Sequence, residues 1–261
     1  MHFIVGHPRS GTQLLTDLLN AGATKVAAHE ALVEQSPGSS LIALATDYYE
    51  GRIDAGTVKE VLAGFPVPAA VGIDVSWKNT WILPVLLELY PEARVLHLAR
   101  DPRHNVIACH NLGYYGQIEF HPEYPIYHRW LQGMPSIRRP DWEFLSPFER
   151  NCAFWVESHR LVFEMRASLG ERYGMTRIED IHDPAVVADL FEFFQRELPQ
   201  AESIQRVLAG SSNPQARIKG YVETAAGEIL LPEFEQCPPQ VQESLLSICA
   251  PMADQLGYRL R

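Results

Sequence analysis

His2-Phe3-Ile4-Val5-Gly6-His7-Pro8-Arg9-Ser10-Gly11-Thr12-Gln13-Leu14-Leu15 is the stretch that decides the architecture. Its opening, HFIVG, is a short apolar run of the kind that forms a buried strand. Thr12 to Ala21 (TQLLTDLLNA) places Leu14, Leu15, Leu18 and Leu19 on one helical stripe. Between strand and helix lies a compact loop, Gly6 to Thr12, with two glycines and an arginine. Such a connection aims backbone N–H groups and the positive end of a helix dipole at one point, which makes an anion cradle. Gly6 and Gly11 allow a tight loop and close backbone approach, and Arg9 adds a fixed positive charge. A Walker A loop requires Lys at position 12 and Ser or Thr at 13 to hold magnesium. Here those positions are Thr12 and Gln13. The loop is therefore predicted to hold a phosphate without a nucleotide-bound metal.

Outward from this loop, short apolar runs alternate with helical patterns, the signature of a parallel sheet covered by helices. Strands are expected at Lys25–Ala28, Ala70–Val75, Arg94–Ala99 and Met175–Ile178. Helices are expected at Thr80–Leu89, closed by Pro91, at Pro184–Phe194, and from Pro239 to Leu256. Pro199 to Glu228, rich in Ser, Asn, Gly and Gln, is expected to be a mobile loop. Residues 110 to 150 carry many aromatics and prolines with no clean period and are expected to form an insertion or lid. The predicted class is α/β, three-layered, with a mostly parallel sheet of about five strands flanked by helices, similar to P-loop NTPases. At 261 residues the chain is read as a single domain, 1–261, with the insertion at about 110–150.

Hydrophobic residues make up 46% of the chain and no long charged or low-complexity tract occurs, which excludes disorder as its main character. The longest apolar runs are too short to span a bilayer. A formal charge of −10 argues against a nucleic-acid binder, whose footprint is basic. A small anionic ligand remains allowed where a few cations are focused. The four cysteines (Cys109, Cys152, Cys237, Cys249) are scattered without CxxC and are read as reduced thiols. Met1 and His2 run directly into the first strand, and a cytoplasmic protein without a signal peptide is expected.

The loop resembles the 5′-phosphosulfate loop of sulfotransferases that use 3′-phosphoadenosine 5′-phosphosulfate (PAPS), commonly PRSGT or PKSGT. A second block, Leu89-Tyr90-Pro91-Glu92-Ala93-Arg94-Val95-Leu96-His97-Leu98-Ala99-Arg100-Asp101-Pro102-Arg103, is similar to that family's strand leading into an RDPR-type turn. The resemblance implies that Arg100 binds the cofactor's 3′-phosphate. Thr176 to Ile181 (TRIEDI) looks like the family's RYEDL segment, and Arg217-Ile218-Lys219-Gly220 resembles its RKG-type loop over the 3′-phosphate. Leu256-Gly257-Tyr258 is a familiar ending among bacterial members. Together the motifs imply that Arg9, Ser10, Gly11, Thr12, Gln13, Arg100, Arg217, Lys219 and Gly220 bind PAPS, with adenosine 3′,5′-bisphosphate (PAP) as product. One departure stands out: the serine usual eight positions after the RDPR arginine is Ala108 here, followed by Cys109.

Sulfuryl transfer is an in-line displacement that needs positioning, charge neutralisation at the bridging oxygen and a base for the acceptor hydroxyl. Arg9 serves the leaving side. Glu30 lies 21 residues after Arg9, where tyrosylprotein-type and several bacterial sulfotransferases carry a glutamate base. His29 is the competitor, since cytosolic members use histidine and adjacent strand residues face opposite sides. Lys78 stands near the place where many members present a lysine to the departing group, and a solvated surface lysine is the alternative. Trp77 and Tyr221 are candidates to stack on adenine. Arg103 is expected to cap its turn through a carboxylate. The histidines His104, His110, His121 and His128 show no ligand spacing, so no metal is expected.

The aromatic segment Tyr114–Phe148 is the expected acceptor-specificity region, suited to a small molecule or saccharide. The implied activity is transfer of a sulfuryl group from PAPS to a hydroxyl. A small-molecule kinase of the P-loop class and a non-catalytic nucleotide-binding module are the alternatives. The sequence leaves oligomeric state and acceptor open.

Overall fold

The computed structural model describes residues 1–32, 41–64, 71–116, 134–210 and 231–260. The chain divides into two compact units, Met1–Arg100 with Leu161–Ser212, and Asp101–Arg160 with Asn213–Arg261.

The first unit is built on a five-stranded sheet of β1 (His2–Gly6), β2 (Ala27–His29), β3 (Ile73–Val75), β4 (Val95–Ala99) and β5 (Tyr173–Arg177), in the order β2-β3-β1-β4-β5. Every pairing is parallel. Parallel strands need crossover connections, and helices supply them. α1 (Thr12–Leu19) follows β1; α2 (Leu41–Tyr49) and α3 (Ala55–Ala63) lie between β2 and β3; α4 (Leu83–Leu89) precedes β4. Ile4, Leu15, Leu18, Leu19, Val75, Leu96 and Leu98 share one buried cluster with Val187, Leu190 and Phe191 further along the chain. The fold class expected from the sequence is the one observed.

The chain reverses its direction of travel across this sheet. From β1 it moves outward to β2 and back to β3, then crosses to the other side of β1 for β4 and β5. In open α/β sheets ligands bind outside the carboxyl ends of the strands where that reversal occurs. Here the reversal lies between β1 and β4, whose carboxyl ends carry the Gly6–Gly11 loop and Arg100.

Two expectations need correction. Thr80–Leu89 is not one helix: Trp77–Ile82 forms a 3₁₀ turn and α4 starts at Leu83, with Pro84 in its first turn. Proline's fixed φ and missing N–H suit a helix start, so a fresh helix begins there. The span Pro199–Glu228 is not a loop throughout, because Ala201–Gly210 is a helix. It follows α5 (Pro102–Asn111), α6 (Pro147–Glu164), the short α7 (Arg166–Leu169) and α8 (Pro184–Phe193), and is numbered α9. Ile204, Val207 and Leu208 recur at helical spacing and pack on the sheet cluster. The remainder, 211–228, lies outside the described residues.

The second unit contains α5, most of α6, and α10 (Pro239–Gln255). Of the aromatic stretch, Tyr114, Trp142 and Phe148 are buried. Tyr115 meets Trp142 and Phe154 edge-on, with centroids 5.2 and 5.6 Å apart. These rings are the packing of the unit itself, whereas Phe144 is exposed. Phe120, Tyr124, Tyr127 and Trp130 lie outside the described residues. None of the described helices is long and apolar enough to cross a membrane. All four cysteines are buried and none is in a disulfide.

His97, wholly buried in β4, has its pKa pushed down to about 3 by desolvation, and its Nδ1 lies 2.9 Å from the Tyr173 hydroxyl. Burial, the N-terminal ammonium, Arg196 and Arg94 lower His2 to about 4. Both groups take up a proton more readily once unfolded, so their contribution to stability is complete above the ordinary value of 6.5 and is lost as pH falls through that window. Asp74, raised to about 6, opposes them between that value and its ordinary 3.8. Stability is therefore expected to fall as pH drops below about 6.5, with Asp74 offsetting part of that fall. Urea unfolding across pH 4.5–7.5 should show this fall in the wild type and a smaller one in His97→Gln.

Candidate active site

β1 enters the loop against its neighbours. A β-carbon on Gly6 would stand 2.2 Å from the Leu98 carbonyl oxygen of β4, so only glycine fits. The Gly6 N–H donates to Thr80 Oγ1 at 3.0 Å, and the Thr80 hydroxyl donates back to the Gly6 carbonyl at 2.8 Å. Gly11, at the N-cap of α1, has φ 96°, and a β-carbon there would lie 2.6 Å from the Ile178 side chain. With glycine at that position no side chain caps α1, and no acidic residue occupies its first turn. The first N–H groups of a helix have no partner within it, so this end is electrostatically ready for an anion.

Arg9 sits in left-handed backbone, φ 64°, a conformation a non-glycine residue keeps only when its surroundings hold it. One such hold is Arg100, at the end of β4, whose guanidinium donates to the Arg9 carbonyl at 2.8 Å. The two segments singled out in the sequence, 91 positions apart, thus meet. Arg9 Nε is buried and has no hydrogen-bond partner among the described residues. A buried cationic N–H without an acceptor is costly, and a phosphate oxygen is the acceptor chemistry that suits it. Ser10 and Thr12 are buried. The Gln13 side chain turns away to Asp17 at 2.9 Å, leaving only its backbone N–H for a ligand role.

The His29 and Glu30 positions are both resolved. β2 ends at His29, whose Nε2 lies 3.0 Å from Thr12 Oγ1, so this ring is tied to the Gly6–Thr12 loop. Glu30 follows in left-handed backbone, φ 54°, with its N–H donating to the Val75 carbonyl at 3.1 Å. Its carboxylate accepts from Lys78 Nζ at 2.6 Å. The side chains of Lys78 and Glu30 are 4% and 17% exposed, so Lys78 is no solvated surface lysine. Lys78 Nζ also lies 5.8 Å from the Trp77 ring, which is itself buried. Asp74 is buried beside this pair. Desolvation raises its pKa to about 6, against hydrogen bonds from Asn79 and Ala31 that lower it and the Glu30 charge that raises it further.

Arg103 pairs with Asp101 at 2.6 Å, and Asp101 caps α5 by accepting the Arg103 N–H at 2.8 Å. Ala108 lies within α5, beside the buried Cys109. Arg217, Lys219, Gly220 and Tyr221 lie outside the described residues. Asp74 and Asn79 belong to none of the motifs singled out above; the signal for Asp74 was a carboxylate within the apolar run Val71–Val75, and Asn79, between Lys78 and Thr80, carried none.

No protein-family model matches the chain, and no curated protein matches it. Solved structures do. The sulfotransferase domain from the curacin biosynthetic pathway superposes with a TM-score of 0.53 at 15% identity, covering 100% of this chain and 98% of that one. The sulfotransferase domain of the Synechococcus PCC 7002 olefin synthase gives 0.51 at 15% identity, covering 97% and 94%. Mouse sulfotransferase SULT7A1, solved in complex with PAP, gives 0.51 at 12% identity, covering 97% and 83%. The fold is therefore the P-loop-like fold of sulfotransferases, the family that the sequence motifs resemble.

Proposed function

We propose that the protein is a PAPS-dependent sulfotransferase that transfers a sulfuryl group to a hydroxyl of a small-molecule or saccharide acceptor. The observation that carries this reading is the Arg100–Arg9 contact at the reversal point of the sheet. It joins a cation expected to serve the 3′-phosphate to the loop expected to serve the 5′-phosphosulfate. The fold and the uncapped, glycine-bounded start of α1 support it. Arg9 and the N–H groups of Ser10 to Gln13 hold the 5′-phosphosulfate, and Arg100, Arg217, Lys219 and Gly220 hold the 3′-phosphate. PAPS supplies an activated sulfuryl group, and no metal takes part. Glu30 takes the acceptor proton as the acceptor oxygen bonds to sulfur. The sulfur–oxygen bond to the nucleotide breaks, and its electron pair leaves with the phosphate oxygen of PAP. Lys78, beside Glu30, offers a cation to that developing charge. Residues 1–261 are read as one catalytic domain, with about 110–150 on the acceptor side. Buried cysteines, none in a disulfide, favour a reducing compartment such as the cytoplasm.

Calorimetric titration with PAP in EDTA, using 5′-AMP as control, tests the donor site. Binding that needs the 3′-phosphate and no metal is expected. Arg100→Ala should weaken it about 10–100-fold, the worth of one charge-assisted hydrogen bond or slightly more. Absence of PAP binding, or binding of ATP only with magnesium, would overturn the reading.

A further inference from the structure

Asp74 is completely buried in β3 and its two oxygens serve different segments. Oδ1 accepts the Ala31 N–H at 2.9 Å, and Oδ2 accepts the Asn79 side-chain amide at 2.8 Å. Ala31 immediately follows Glu30, and Asn79 immediately follows Lys78. One buried group therefore fastens the chain just past each member of the Glu30–Lys78 pair.

Neither member is held by regular structure alone. Glu30 lies beyond the last residue of β2, in a left-handed conformation that an L-residue does not favour. Lys78 lies in a 3₁₀ turn, whose hydrogen-bond geometry is poorer than that of an α-helix. A buried carboxylate is itself unfavourable unless its hydrogen bonds compensate, and the ones it receives come from these two segments.

We propose that Asp74 is a positioning residue that sets the Glu30 carboxylate and the Lys78 ammonium at their 2.6 Å contact, through Ala31 on one side and Asn79 on the other. This deepens the reading of Glu30 as base and Lys78 as leaving-side cation, and rests on it for its catalytic consequence. Asp74 touches no substrate. Its effect reaches the reaction by fixing two groups whose displacement by about 1 Å can cost about 100-fold in rate.

The test uses the full chain, with residue-resolved labelling of Lys78 by acetic anhydride, read by peptide mass spectrometry, beside steady-state kinetics and PAP titration. In Asp74→Ala, Lys78 labelling should rise about tenfold or more and kcat should fall about 10–100-fold, with acceptor KM and PAP affinity within about threefold of wild type. Asp74→Asn should recover most of both losses. Asn79 Oδ1 has no hydrogen-bond partner among the described residues, so its amide can turn and accept from the new one. Should Asp74→Ala fail to fold, Asn79→Ala removes only the Lys78 side of the clamp and should still raise Lys78 labelling. Folded Asp74→Ala or Asn79→Ala whose Lys78 labels at the wild-type rate would overturn the proposal. Labelling decides the clamp whether or not the protein turns over PAPS, while failure of the wild type to bind PAP would defeat the sulfotransferase reading separately.

Discussion

Glu30→Gln is expected to lower turnover by about 10²–10⁴-fold, the range spanned by a positioned general base, while PAP affinity stays within about threefold. The substitution preserves shape and leaves an amide oxygen that can still accept from Lys78, so the buried ammonium keeps a partner. This matters because removing one member of a buried ion pair typically costs about 3–5 kcal/mol. An alanine at position 30 would mix that stability loss with the loss of the base; glutamine separates them. Single-turnover rates with saturating PAPS, beside a thermal melt, make the measurement. Full activity in Glu30→Gln would move the base to His29, which the structure ties to Thr12 at 3.0 Å. His29→Gln would then be the variant that loses turnover.

Gly6→Ala should destabilise the protein by about 3 kcal/mol or more, at the upper end of what overpacking costs. The added methyl would stand 2.2 Å from the Leu98 carbonyl oxygen, a backbone atom of the neighbouring central strand that has no rotamer to yield. Relief requires separating β1 from β4, whose register pairs Gly6 with Leu98. That separation also displaces the Thr80 hydroxyl from both polar groups of Gly6, and it pulls the loop from Arg100. The expected result is a lower urea midpoint together with loss of PAP binding. A Gly6→Ala protein with wild-type stability and affinity would show that the strand pair can part without cost to the loop.

Much of this was legible in the sequence because it is local. HFIVG followed by a glycine-bounded loop and a leucine stripe gives β1, the loop and α1 nearly to the residue. RVLHLA gives β4 to within a residue, while α5 after the RDPR turn was not read. Strong periodicity and Gly/Pro punctuation act over a few residues and need no partner to be read. α6 was less readable, since Asn151, Glu157, Ser158 and His159 are buried polar residues that blur its apolar stripe. α9 was hidden by a Ser-, Asn- and Gly-rich context, although Ile204, Val207 and Leu208 carried the signal.

The site divides the same way. The sequence by itself singled out the glycine-bounded loop as a candidate anion cradle, and the resemblance of its motifs to sulfotransferases added Arg100, His29 and Glu30 as candidates. Only the tertiary structure decided what those residues do to one another: that Arg100 reaches the Arg9 carbonyl, that His29 goes to the loop and Glu30 to Lys78, and that Asp74 fastens both of the latter segments. These contacts join residues 17 to 91 positions apart or, as in Asp74 to Asn79, across the end of a strand. Strand order and register set such distances, and no local pattern encodes them.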